Sequence, residues 1–248
     1  MIKKIKALIF FQIKVALDNK MDLVYSFFMP LAYLLVNNMS NSHRQISSAN
    51  QLSDLLPFVG YMVVTGVLNG WVMNTLISRE RNFLKTFTSI VGNKLYIFTA
   101  NFIVNLFSNL LQVLAIVAIY QGVTHSINSL VILILLTTAV VMDIIVSLAS
   151  TIILISRMKL SSIPMILTTY IIVGLALSGL QTNNFLLHIL LNMVSMYTLT
   201  IDVGSLIYHQ GNVSMATVMP VLLPIIVIAI VGLILVKKVP VSSIHVRG

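Results

Sequence analysis

Residues 130–155 read LVILILLTTAVVMDIIVSLASTIILI, an aliphatic run broken by a single charge, Asp143. A helix needs ~20 mostly apolar residues to cross ~30 Å of hydrocarbon, and this run exceeds that length. Further runs of the same kind lie on both sides of it. Over all 248 residues, 58% are hydrophobic and 8% charged, and the mean hydropathy is +1.01. Soluble domains carry about a quarter charged residues. The chain is therefore expected to be an all-α polytopic membrane protein forming one domain, residues 1–248.

Apolar runs and their breakers predict six spans, at about 21–38, 55–78, 94–120, 130–155, 162–180 and 215–236. Pro30 falls in the middle of the first. Pro57 is expected in the first turn of the second, where a missing N–H costs little. Pro164 opens the fifth, and Pro220 and Pro224 lie in the sixth.

Charge sets the expected orientation, because Lys and Arg favour the cytoplasmic side. Lys3, Lys4, Lys6, Lys14 and Lys20 precede the first span. Arg79, Arg81, Lys85 and Lys94 lie around the loop after the second, Arg157 and Lys159 after the fourth, and Lys237, Lys238 and Arg247 at the end. Of the 15 basic residues only Arg44 falls on the other side. Both termini are then cytoplasmic, as six spans require. The net charge of +9 is accounted for by topology and anionic headgroups, and nucleic acid is not an expected partner.

Three segments are expected not to span. Residues 1–20 place Ile5, Leu8, Ile9, Gln12 and Ala16 on one helical face opposite Lys3 and Lys14, which suits an interfacial helix. Residues 40–54 read as a short polar outer loop. Residues 181–212 hold no Lys or Arg, yet FLLHILLNMVSMYTL at 185–199 is helical in pattern and broken by His188 and Asn192. Short re-entrant helices suit it, since irregular backbone at membrane depth must be packed on protein. A seventh span would put Lys237 and Lys238 outside.

Enzymatic chemistry lacks the residues it needs. Cys is absent, so thiolate metal and disulfide sites are excluded. The five histidines are expected in loops or the tail, without HExxH spacing. The nearest text to a G-x-S-G protease motif is GLALSG at 174–179, and VGNKL at 91–95 is no Walker loop. Asp143 is the one aspartate well inside a span and needs partners there. The third span supplies Asn101, Asn105 and Asn109 at i, i+4 and i+8, with Gln112 a further turn on. The expected role is interhelical glue, with a proton or substrate pathway as the alternative. The 13 methionines suit either adaptable packing or a cavity for varied apolar cargo.

LISRERNFLKTFTS at 76–89 gathers Arg79, Glu80, Arg81 and Lys85, and Glu80 is the only glutamate of the chain. A second span that runs into a short charged cytosolic helix and returns into the third resembles the permease subunits of ABC-2 type exporters. The Glu80-Arg81 pair, the apolar residues behind it and the threonine match that family's loop; its glycine and proline are absent here. The layout of the whole chain is similar too.

The resemblance implies an exporter subunit in the bacterial cell membrane, paired with a second permease protomer. Each protomer would dock on a separate ATPase that holds the ATP and Mg, so this chain itself would carry no cofactor. Residues 76–89 would form the coupling helix, with Phe83, Leu84 and Phe87 as apolar anchors and Arg79, Glu80, Arg81 and Lys85 at the rim. The second and fifth spans would line a cavity, making Phe58, Met62, Thr65, Asn69, Ile171, Leu175 and Ser178 candidate contacts for amphipathic peptide or other hydrophobic cargo. A proton-coupled transporter using Asp143, or a non-transporting anchor or sensor, are the rival expectations.

Overall fold

A computed structural model describes residues 9–10, 13–14, 27–39, 47–156, 158, 160–180, 182, 184–209 and 214–243. Among them every regular element is helical. The interfacial helix expected over 1–20 lies almost wholly outside the described residues. Residues 21–26 of the first expected span also lie outside them, and most of its remainder is α1, Met29–Met39.

Helix α2 runs through Ser48–Glu80, longer than expected at both ends. Ser47 caps it, its Oγ accepting from the Asn50 N–H at 3.4 Å. Residues 48–54 are therefore helical, not part of an outer loop. Gln51, Leu52 and Leu55 bury one flank of that first stretch, which makes helix more favourable than a solvated loop. Pro57 consequently sits inside the helix, where it removes the donor that the Ser53 carbonyl would have met. The middle of α2, Gly66–Val72, is π-helical. Such a bulge changes the register of the faces above and below it.

Helix α3 is Phe83–Val91, and Gly92 ends it in the left-handed conformation at φ 90°. Helices α4 (Lys94–Val123), α5 (Ser129–Ile155), α6 (Ile163–Ser178, after a 3-10 turn at Leu160–Ser162) and α9 (Met215–Lys238) follow the expected runs to within a few residues. Helices α7, Phe185–Val194, and α8, Met196–Tyr208, meet at Ser195 and are bent by 115°. Among the described residues five helices are thus long and apolar enough to cross a membrane, or six if the bent pair counts as one span.

Helix α5 is the hub, packing on α2, α4, α8 and α9. It buries Leu135, Ala139, Met142, Val146 and Leu154. Helix α8 fills the space between α2 and α5, and α7 lies along α9. Helix α6 is peripheral and packs mainly on α8. Its Met165, Ile172 and Val173 stay exposed, as an apolar helix can when its solvent is lipid.

Candidate functional site

The first polar cluster is the seam between α2, α4 and α5. Asn101, Asn105, Asn109 and Gln112 all turn inward and are buried, so the helical spacing does place four amides on one face. Asn109 Nδ2 donates to Asp143 Oδ1 at 2.7 Å. Asn101 Nδ2 donates to Thr75 Oγ1 at 3.0 Å and to the Trp71 carbonyl at 3.4 Å. The α2 side of the seam is Gly66 and Gly70, one turn apart. A Cβ on Gly66 would stand 2.1 Å from Asn109 Oδ1, and one on Gly70 2.3 Å from Asn105 Oδ1. The amides occupy a notch that only glycine leaves open. The sequence reading overlooked this pair, although G-x-x-x-G in an apolar run signals close helix approach.

Four buried atoms of the seam have no hydrogen-bond partner among the described residues: Asn105 Nδ2, Gln112 Oε1, Asp143 Oδ2 and Ser147 Oγ. Buried polar groups are normally paired. Among the described residues no cationic side chain forms an ion pair with Asp143.

The second cluster is the elbow at the end of α2. Asn82 takes a left-handed conformation, φ 58°, which asparagine tolerates better than most residues, and so turns α2 into α3. Arg79 is only 1% exposed. Its Nε donates to Glu80 Oε1 at 2.8 Å, and its Nη1 donates to the Leu154 carbonyl. Leu154 lies in the last turn of α5, where carbonyls lack helical donors and favour a cation. Glu80 Oε2 in turn accepts from Ser243 Oγ at 2.7 Å, and Asn82 Oδ1 from the Ser243 N–H at 3.4 Å. Glu80 therefore ties the chain's end to the elbow.

Two residues expected on the docking face point the other way. Arg79 caps α5 from inside. Leu84, 1% exposed, joins the core, because α3 must bury one flank against α4 to stay in place. Phe87 is half-buried against that core. Arg81, Phe83 and Lys85 remain exposed. Ile90, 66% exposed, extends the outward face seven residues beyond Phe83, itself 51% exposed.

The third cluster joins α7, α8 and α9. His188, expected in a loop, lies in α7 with Nε2 2.6 Å from Asp202 Oδ2 of α8. Asn192 Nδ2 donates to the same Oδ2 at 2.8 Å and to the Pro220 carbonyl at 3.1 Å. Pro224 is four residues beyond Pro220 and has no N–H to offer that carbonyl. Asn192, fully buried, replaces the missing helical donor. Neither His188 nor Asn192 merely breaks a span; each ties the bent pair together.

The expected cavity does not close up within one chain. Met62 and Thr65 are buried in the packed core, and Thr65 Oγ1 donates to the Tyr61 carbonyl at 2.6 Å. Phe58, Asn69, Ile171 and Ser178 are partly exposed and Leu175 is exposed. α2 and α6 touch only lightly, because α8 takes the flank of α2 that α6 would have needed. No family model, no curated protein and no solved structure matches the chain.

Proposed function

We propose that the chain is the membrane subunit of an ATP-driven exporter of the ABC-2 type, moving amphipathic or hydrophobic cargo such as peptides. It would sit in the bacterial cell membrane as six spans, with α7 and α8 re-entrant from the outside and both termini cytoplasmic. The observation that carries this reading is the elbow. A long helix ends in a left-handed turn that exposes Arg81 and hands over to a short amphipathic helix on which Phe83, Lys85 and Ile90 are exposed. Leu84 buries the inner side of that helix, and Arg79 fastens the end of α2 to α5. A surface held this stiffly can transmit displacement from a docked ATPase, which would bind ATP and Mg, into α2 and α5. The half-exposed faces of α2 and α6 would meet their copies in a second protomer and complete the cavity there.

Phe83→Ala is expected to lower ATPase co-purification and peptide-stimulated ATP hydrolysis at least tenfold, as loss of an interface anchor does, with an unchanged melting temperature. Leu84→Ala is expected to cost about 2–5 kcal/mol of stability instead. Full coupling in the Phe83 variant would refute the docking role.

A second reading, a proton-coupled transporter, is favoured by one observation: Asp143 is fully buried with Oδ2 unpartnered. An ionisable side chain at membrane depth is by default a functional one.

A further inference from the structure

Helices α4 and α9 each pack on α5 and leave a groove between them, with α5 as its floor. The groove encloses about 270 Å³ and is lined by Leu95, Phe98 and Phe102 of α4 and Leu233 and Val236 of α9, over Leu148 of α5. Apart from hydroxyls such as that of Thr99, its walls are apolar. At one end Lys94 closes it: Nζ donates to the carbonyls of Lys237 and Val239, each at 2.7 Å. Lys94 thereby caps the C-terminus of α9 and keeps one N–H for another acceptor.

Helical spacing puts a second cation at the same mouth. Lys94 is one turn before Phe98, and Lys237 one turn after Leu233, so both continue the lined faces. Lys237 and Lys238 are exposed, and among the described residues no carboxylate pairs with any of the three. An apolar groove with uncompensated positive charge at one end is complementary to one class of molecule. Neither water nor a soluble anion would fill the groove, and a zwitterionic lipid would leave its charge unmatched.

We propose that this groove binds an anionic phospholipid of the inner leaflet. One acyl chain lies between α4 and α9 over Leu148, and the phosphate rests on Lys94 and Lys237. Basic pockets between spans on the cytoplasmic side recognise such headgroups. The occupant would brace the end of α9, and through Ser243 and Glu80 the elbow as well. Only the choice of leaflet rests on the orientation proposed above.

The test uses the full-length protein, purified without a partner and titrated with phosphatidylglycerol or with phosphatidylcholine of identical acyl chains. Retained lipid is read by native mass spectrometry. Phosphatidylglycerol should be retained preferentially. Lys237→Gln, which breaks no side-chain hydrogen bond or ion pair seen among the described residues, should weaken that retention about fivefold and leave phosphatidylcholine unchanged. Thr99→Trp, which fills the groove from an exposed wall position, should displace both lipids at an unchanged melting temperature; should that variant misfold, Leu95→Trp serves at the same wall. Equal retention of the two lipids, or undiminished phosphatidylglycerol on Lys237→Gln, would overturn the site. Because retention is read without any ATPase present, its failure would overturn the lipid site and leave the exporter reading standing.

Discussion

Gly66 and Gly70 are the residues on which the seam most depends, because each faces an amide oxygen at a distance no Cβ could share. Asn109 cannot swing aside freely, since the same amide donates to Asp143. Gly66→Ala should therefore cost about 1–3 kcal/mol, read as a lower melting temperature in detergent. Removing the opposing amide relieves the clash, so Gly66→Ala with Asn109→Ala should cost less than the sum of the single changes. An additive result would mean that the side chains do not meet. Asp143→Asn keeps an acceptor for Asn109 and should melt near the parent, whereas Asp143→Ala strands a buried donor at about 1–3 kcal/mol. If Asp143→Asn melts normally but abolishes transport, the carboxylate moves a proton. If transport survives, Asp143 is interhelical glue. That Asp143 would meet an amide was legible from the cost of burying it and from the four-residue spacing on α4. Which amide it meets depends on how far α4 and α5 are slid past one another, and no local pattern carries that.

At the scale of elements, α7, α8 and α9 depend on one another's defects. Pro224 deprives α9 of a backbone donor, and Asn192 of α7 supplies it while holding Asp202 of α8. Asn192→Ala should destabilise the protein by about 1–3 kcal/mol and raise hydrogen exchange across 185–208. Adding Pro224→Ala restores an N–H to the Pro220 carbonyl, so the double variant should recover part of the loss. No recovery would separate the two defects. The apolar pattern of 185–199 announced helix, and its polar interruptions announced trouble for a simple span. It did not announce that those interruptions are bonds to α8 and α9. Arg79 is a parallel case. In the sequence it is one of several basic residues near a span end, and only the fold brings the open carbonyl of Leu154 to it.

At the scale of the molecule, the proposed orientation has a direct readout, because the natural chain has no cysteine. A single cysteine at Lys85, on the elbow, should react with a membrane-impermeant maleimide only in inside-out vesicles. One at Ile127, 88% exposed between α4 and α5, should react only in intact cells. The same sidedness at both positions would contradict the proposed course of α4 across the bilayer. Arg79 on α5 and Lys94 on α9 cap helix ends at the elbow end. In the proposed orientation the same cations would also bias topology, so residues that keep a span end on one side would hold the helices to each other as well.

Composition and hydropathy by themselves determined the membrane class, the helical content and the approximate extent of the long apolar helices. Those properties follow from the free-energy cost of exposing backbone and charge to hydrocarbon, which outweighs local preferences and adds up residue by residue along the chain. The tertiary structure decided the rest. It carried α2 back to Ser48, made Gly66–Val72 a π-helix facing two amides, turned Leu84 and Arg79 inward, and opened a lysine-headed groove between α4 and α9. Each of these depends on the meeting of residues far apart in the chain, where short-range packing and single hydrogen bonds choose among arrangements of nearly equal hydrophobicity.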